Sequence, residues 1–293
     1  MPVARLEKGI DLFYDERGEG EPLVLIMGIG CQLIYWPEGF VDALVEKGFR
    51  VIRFDHRDIG LSSRLEHLGV PPMLPTLMAG LTGRSAPAPY SLADMADDVA
   101  GLLEYLGIDS AHVAGASMGG MIAQTMAFTQ PHRLRSLVSI MSHTGRSGHR
   151  MSEPRALRAI FGAPPRSREE AMDKSVEVWK VIGSPGFAFD EESVRRRAGV
   201  AFDRGTYPKG FLRHLGAIVT SGDRTARLRF VRAPSLVIHG TADPLIRPLG
   251  GRLTHEAIEG SRLELFDGMG HDLPEELWPR FAKMIEENAS RAG

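Results

Sequence analysis

The chain has 293 residues, 43% of them hydrophobic and 25% charged, which is ample for one large domain or for a core carrying an insertion. Its 35 Lys and Arg against 37 Asp and Glu leave a net charge of -2, which removes the electrostatic case for nucleic acid or an anionic membrane as partner. A single cysteine, Cys31, excludes an internal disulfide framework and leans toward the cytosol. Residues 1–18 lack the apolar core of a signal peptide, and no run approaches the roughly 18 apolar residues of a membrane span, so a cytoplasmic protein without a membrane partner is expected.

Residues 10–14 suit a strand, and 15–20 are polar and Gly-rich enough for a hairpin turn. Residues 23–27 form a continuous apolar run of the kind found in strands covered on both faces, and the run stops at Gly28-Ile29-Gly30. Helical spacing through Phe40, Leu44 and Val45 predicts a helix over 38–47, followed by a strand over 49–54 that ends at Asp55-His56-Arg57-Asp58. Between 60 and 90 the pattern dissolves into Pro, Gly, Leu and Met. A connection of about 30 residues without periodicity reads either as a lid or binding segment or as a packed surface excursion.

Ser91 caps a predicted helix with Leu92, Met95, Val99 and Leu102 on its core face, and Asp94 stands at capping-box spacing where Glu is usual. A strand over 111–116, a helix over 118–129 that ends before Pro131 and a strand over 136–141 come next. This alternation predicts the α/β class, a mostly parallel central sheet with helices on both faces. From 145 to about 226 no convincing strand occurs. Ser167 and Glu170 form a capping box ahead of Met172, Val176 and Trp179, and helix-like segments cover 190–202 and 209–221. The expected organisation is therefore a core of 1–144 and 226–293 with a helical cap inserted over 145–225. Strands return at 235–239 and 262–266, with helices over 249–258 and 275–287.

The chemistry centres on Gly115-Ala116-Ser117-Met118-Gly119, a Gly-x-Ser-x-Gly pentad between a predicted strand and a predicted helix. A serine held on such a bend presents its hydroxyl above the strand end, and the Met118 amide, in the first turn of the helix, is an unpaired donor suited to negative charge. Serine needs a base. His271, in the Gly-rich loop after the last strand, is the expected one; His56, His143 and His239 also follow or end strands and compete for the role. The base in turn needs a carboxylate to fix its tautomer. Asp243, in Gly240-Thr241-Ala242-Asp243-Pro244, keeps the chain order Ser, Asp, His, while Asp267 and Asp272 share the loop of His271 and are the alternatives. A second oxyanion donor is expected from the Ile29 amide, with Met27 and Gly28 beside the substrate.

With these residues in place the chain resembles the α/β-hydrolase family over nearly its whole length. The resemblance is carried by 23–30, by Phe54-Asp55-His56-Arg57-Asp58-Ile59-Gly60-Leu61-Ser62, by 115–120, by Val237-Ile238-His239-Gly240-Thr241-Ala242-Asp243 and by Gly268-Met269-Gly270-His271. Met27-Gly28, Trp36-Pro37 and Asp55-His56-Arg57-Asp58 are similar to the aclacinomycin methylesterase group and related carboxylesterases. Many family members carry His-Gly where this chain has Met27-Gly28, and that histidine often helps to hold the oxyanion loop. Serine at position 117 in place of Asp argues against the dehalogenases and epoxide hydrolases of the fold.

The expected activity is hydrolysis of small or medium apolar carboxylic esters through an acyl-enzyme on Ser117, His271 and Asp243. Lactone hydrolysis or perhydrolysis on the same residues, and a non-catalytic ligand receptor, are the competing readings. No cofactor or metal is called for, since Walker, dinucleotide and His-Glu-x-x-His patterns are absent from the sequence. The expected partner is a small-molecule ester, with the protein a monomer or homodimer.

Overall fold

A computed structural model describes residues 2–82, 84, 86–146 and 152–292, leaving out the side chain of Leu81. The expected start of the cap therefore includes residues 147–151, which lie outside the described residues. In chain order the strands are β1 (Val3–Arg5), β2 (Asp11–Arg17), β3 (Glu21–Ile26), β4 (Phe49–Phe54), β5 (Ala111–Ala116), β6 (Leu134–Ile140), β7 (Ser235–Gly240) and β8 (Arg262–Phe266). The α-helices are α1 (Glu38–Glu46), α2 (Met73–Thr82), α3 (Leu92–Tyr105), α4 (Met118–Thr129), α5 (Pro154–Ile160), α6 (Arg168–Ile182), α7 (Glu191–Arg204), α8 (Pro208–Ser221), α9 (Thr225–Leu228), α10 (Leu249–Ala257) and α11 (Trp278–Ala289).

The strands form one eight-stranded sheet in the order β1-β2-β4-β3-β5-β6-β7-β8. Only the β1–β2 and β2–β4 pairings are antiparallel, and every other pairing is parallel. The mostly parallel sheet read from the alternating pattern is thus present. Alternation along β3 supplies both cores: Val24 and Ile26 face a cluster shared with α3 and α4, whereas Leu23 and Leu25 face one shared with α1 and α11. Those opposite faces explain why β3 reads as an unbroken apolar run.

Several local expectations are revised. The turn expected over 15–20 does not join paired strands, because β4 lies between β2 and β3. Asp15 and Glu16 belong to β2, where Arg53 and Arg50 of β4 pair with them across the strands. The stretch 60–90 contains α2, which starts after Pro71-Pro72 and packs against α8 while leaving Leu74 71% exposed. Its apolar residues are spread around the helix, so no stripe marked it in sequence. Strand β6 begins at Leu134, two residues before the expected start, and α11 begins at Trp278 with Pro279 in its first turn, where a missing N–H costs nothing. Asp94 completes the capping box at α3: Ser91 Oγ accepts from the Asp94 amide and the Asp94 carboxylate accepts from the Ser91 amide.

All the described secondary structure between β6 and β7 is helical, including α5, which the sequence pattern did not reveal. Helix α8 is joined to the core by Arg213, wholly buried, whose guanidinium grips both oxygens of Asp58 at 2.8 and 2.9 Å. Burial works against the Asp58 charge, but Arg213, the Leu65 amide and the Tyr90 hydroxyl together hold its carboxyl below the usual carboxylate range.

The close approach of α4 to β3 depends on Gly119, because a Cβ there would lie 1.9 Å from the Ile26 carbonyl oxygen. Backbone cannot retreat as a flexible side chain can. Gly119→Ala is expected to destabilise the protein by about 3 kcal/mol or more, read as a lowered urea midpoint. A midpoint equal to that of the unsubstituted chain would contradict this packing.

Candidate active site

Ser117 stands at the joint between β5 and α4 with φ 56 and ψ -118, one of three non-glycine residues at positive φ among those described. The strain is held by its surroundings: the Ser117 amide donates to the Ile140 carbonyl at 2.9 Å, and Ser142 Oγ donates to the Ser117 carbonyl at 2.8 Å. Gly115 is needed because a Cβ there would meet the Gly119 carbonyl at 2.1 Å. The bend places the hydroxyl at the carboxyl end of the sheet, on the wall of a large cavity.

Asp243 follows β7 and His271 follows β8, and the structure brings them together. His271 Nδ1 lies 2.7 Å from Asp243 Oδ2, and Asp243 Oδ1 accepts from the Leu245 and Ile246 amides, both at 2.9 Å. With its proton on Nδ1, the imidazole has Nε2 free to accept. His271 lines the same cavity as Ser117. Among the described residues no hydrogen bond joins Ser117 Oγ to His271. The His271 backbone is anchored by the helices between β6 and β7, since its amide donates to the Ile182 carbonyl of α6 at 2.7 Å.

The competing residues are engaged elsewhere. Asp267 accepts from Thr241 Oγ1, and Asp272 is bonded to Ser184 Oγ. His239 donates from Nε2 to the Ile246 carbonyl at 2.7 Å, His143 Nδ1 accepts from the Gly145 amide, and His56 Nε2 donates to the Met27 carbonyl. Among the described residues the buried His239 Nδ1 has no partner.

Met27, Gly28 and Ile29 follow β3 and line the cavity beside Ser117. A Cβ added to Gly28 would come 3.3 Å from Ser117 Cβ, which measures how near this loop approaches the hydroxyl. Neither the Ile29 nor the Met118 amide has an acceptor among the described residues, and Met118 opens α4, where the helix dipole adds positive potential. Two polar contacts to this loop were not foreseen in sequence: the one from His56 and one from His214 of α8, whose Nδ1 faces the Gly30 amide at 3.4 Å. His56 carried a signal, its place after β4, but His214 lies in a helix and carried none.

The cavity has a volume of about 1100 Å³ and is walled largely by apolar groups, among them Tyr35, Phe161, Trp179, Phe202 and Phe211. Cys31 also lines it, and burial pushes its thiol up to about 12. Among the described residues no cluster of His, Cys, Asp and Glu is suited to a metal, and no helix is long and apolar enough to cross a membrane.

The family profile described as alpha/beta hydrolase fold matches residues 21–276. The chain belongs to this family. This hydrolase is similar to the rhodomycin D methylesterase DnrP of Streptomyces peucetius, 30% identical over 273 residues that span 86% of this chain and 85% of the methylesterase. It shares its fold with the meta-cleavage product hydrolase CumD of Pseudomonas fluorescens IP01, at TM-score 0.76 and 22% identity, covering 100% of this chain and 98% of CumD. An enol-lactonase of Burkholderia xenovorans LB400 gives TM-score 0.73 at 24% identity, covering 99% of this chain and 100% of the lactonase.

Burial pushes His56 and His143 down to about 3 and His214 to about 4, so all three stay neutral in the folded hydrolase. In the unfolded chain they bind protons below the ordinary value of about 6.5. The unfolded state then holds more protons, so the stability they contribute is complete above pH 6.5 and is lost as pH falls toward 4. Melting temperature is expected to fall steadily across that window, and a flat profile between pH 6.5 and 4.5 would contradict neutral burial.

Proposed function

We propose that this hydrolase cleaves carboxylic esters through an acyl-enzyme, with Ser117 as nucleophile, His271 as general base and acid, and Asp243 as the group that orients His271. The observation that carries the reading is the 2.7 Å contact between His271 and Asp243 on the rim of a cavity that Ser117 also lines. In this mechanism Ser117 Oγ bonds to the ester carbonyl carbon as its proton passes to His271 Nε2. The carbonyl oxygen becomes an oxyanion, held by the free amides of Ile29 and Met118. Collapse breaks the bond to the alcohol, which leaves with the proton from His271, and water then repeats the sequence to release the acid.

A cavity of about 1100 Å³ walled by aromatic and aliphatic groups extends the expected substrates beyond small and medium apolar esters to bulky ones. The likeness to a methylesterase favours a short alcohol on a bulky acyl group. Within a series of methyl esters, kcat/KM should therefore rise with the apolar bulk of the acid.

A fluorophosphonate probe should add once to the protein, as read by intact mass, and Ser117→Ala should abolish both the adduct and turnover. Asp243→Asn should lower kcat by about 10³- to 10⁴-fold while leaving the fold unchanged by circular dichroism. An adduct that persists in Ser117→Ala, or near-normal turnover in Asp243→Asn, would refute these assignments.

A further inference from the structure

The loop that follows β3 carries one of the two proposed oxyanion amides, yet its shape is imposed from outside. Among the described residues the side chains of Met27, Ile29 and Cys31 make no hydrogen bond, and the loop's own backbone contributes one long contact, Cys31 amide to Gly28 carbonyl at 3.3 Å. Two imidazoles supply the rest. His56 Nε2 donates to the Met27 carbonyl at 2.9 Å, on one side of Gly28. On the other side the Gly30 amide faces His214 Nδ1 at 3.4 Å, while His214 Nε2 meets the Arg57 carbonyl at 2.9 Å.

Only one neutral tautomer serves both contacts of His214. The Arg57 carbonyl requires a proton on Nε2, which leaves Nδ1 as the acceptor for Gly30. Burial keeps the ring in that neutral form, and it meets the His56 ring edge to face with centroids 5.6 Å apart. Phe211, three residues earlier on α8, closes the same joint: Gly30 has φ 68, and a Cβ there would lie 2.7 Å from Phe211 Cδ2. Helix α8 is itself fixed by the buried Arg213–Asp58 pair.

We infer that His214 is a positioning residue for the oxyanion loop: from the inserted helix α8, and opposite His56, it sets the Gly28-Ile29-Gly30 turn so that the Ile29 amide converges with the Met118 amide beside Ser117. The inference rests on the proposed role of those two amides. It gives α8 two duties, because Tyr207, Phe211 and Leu212 of the same region wall the substrate cavity. Substrate seated against that wall therefore bears on the helix that sets the oxyanion loop.

Three variants test it. His214→Leu removes both ring nitrogens; His214→Gln restores a donor toward the Arg57 carbonyl only; His214→Asn restores an acceptor near the position of Nδ1. For each, kcat, KM, melting temperature and affinity for an aryl trifluoromethyl ketone are measured, with active enzyme counted by fluorophosphonate titration. Ser117 Oγ bonds to the ketone's carbonyl carbon as the hydroxyl proton passes to His271 Nε2, and the former carbonyl oxygen becomes an anion in the proposed hole.

Loss of one oxyanion donor lowers kcat by about 10²- to 10³-fold, so a displaced donor is expected to lower it by about 10- to 100-fold. That loss is expected in His214→Leu and His214→Gln, with KM within about threefold and ketone affinity reduced by the same factor as kcat, while His214→Asn stays within about threefold of the parent. If His214→Leu does not fold, the Gln and Asn pair decides. Unchanged kcat and ketone affinity per active site in His214→Gln, or equal losses in Gln and Asn, would overturn the inference. Failure of the parent protein to bind the ketone at all would instead overturn the oxyanion reading on which it rests.

Discussion

At the joint between β5 and α4 the backbone runs so close to neighbouring backbone that side chains are excluded on both sides of Ser117. Gly115 abuts the Gly119 carbonyl, Gly119 abuts the Ile26 carbonyl, and Gly120 abuts Ser142 Cβ. With no methyl groups in the way, α4 lies against β3 and turns straight off the strand, and Ser117 takes the positive φ that the turn requires. The same closeness sets Gly28 within van der Waals reach of the serine side chain. Hydroxyl, Met118 amide and β3 loop are therefore neighbours because of one packing constraint, not because of three separate ones.

The helices between β6 and β7 are part of this arrangement. Ile182 and Ser184, at the end of α6, hold the His271 loop through the His271 and Gly270 amides. Arg204 at the end of α7 reaches Gln32 and Asp55, and Arg213 of α8 reaches Asp58. Breaking either pair would leave a charge buried without its partner, which couples the seating of α7 and α8 to the Asp55–Asp58 segment. The motif Asp55-His56-Arg57-Asp58 thus works as a junction. Asp55 binds the Leu33 amide, His56 the Met27 carbonyl, Arg57 pairs with Asp98 and Asp58 with Arg213.

Much of the core could be read directly. The unbroken run over β3, the strand at 49–54, the helix capped by Ser91 and the serine joint all appear where the pattern places them, because each is decided by burial period or by a local cap. His271 meets Asp243 rather than Asp267 or Asp272, and those two carboxylates have partners of their own in Thr241 and Ser184. The neighbours of β2 were not legible. Its charged half resembles a turn until Arg50 and Arg53 are seen across the pairing with β4. Helix α2 was hidden for a different reason, since it is only partly packed and carries apolar residues around its circumference.

By itself the sequence determined the class of fold, the strand-to-helix turn at Ser117 and the order of the residues that gather around it. These depend on periodicity and on glycine at fixed spacings, both local properties of the chain. Tertiary structure alone decided how the loop after β3 is held and how large the cavity is. Those depend on His56 and His214, 158 positions apart as numbered in the chain, and on helices whose seating is specified by buried pairs rather than by any local pattern. A hydrogen-bond partner contributed from a distant helix leaves no periodic trace in sequence, which is why Met27 looked unsupported until the fold brought two imidazoles to its loop.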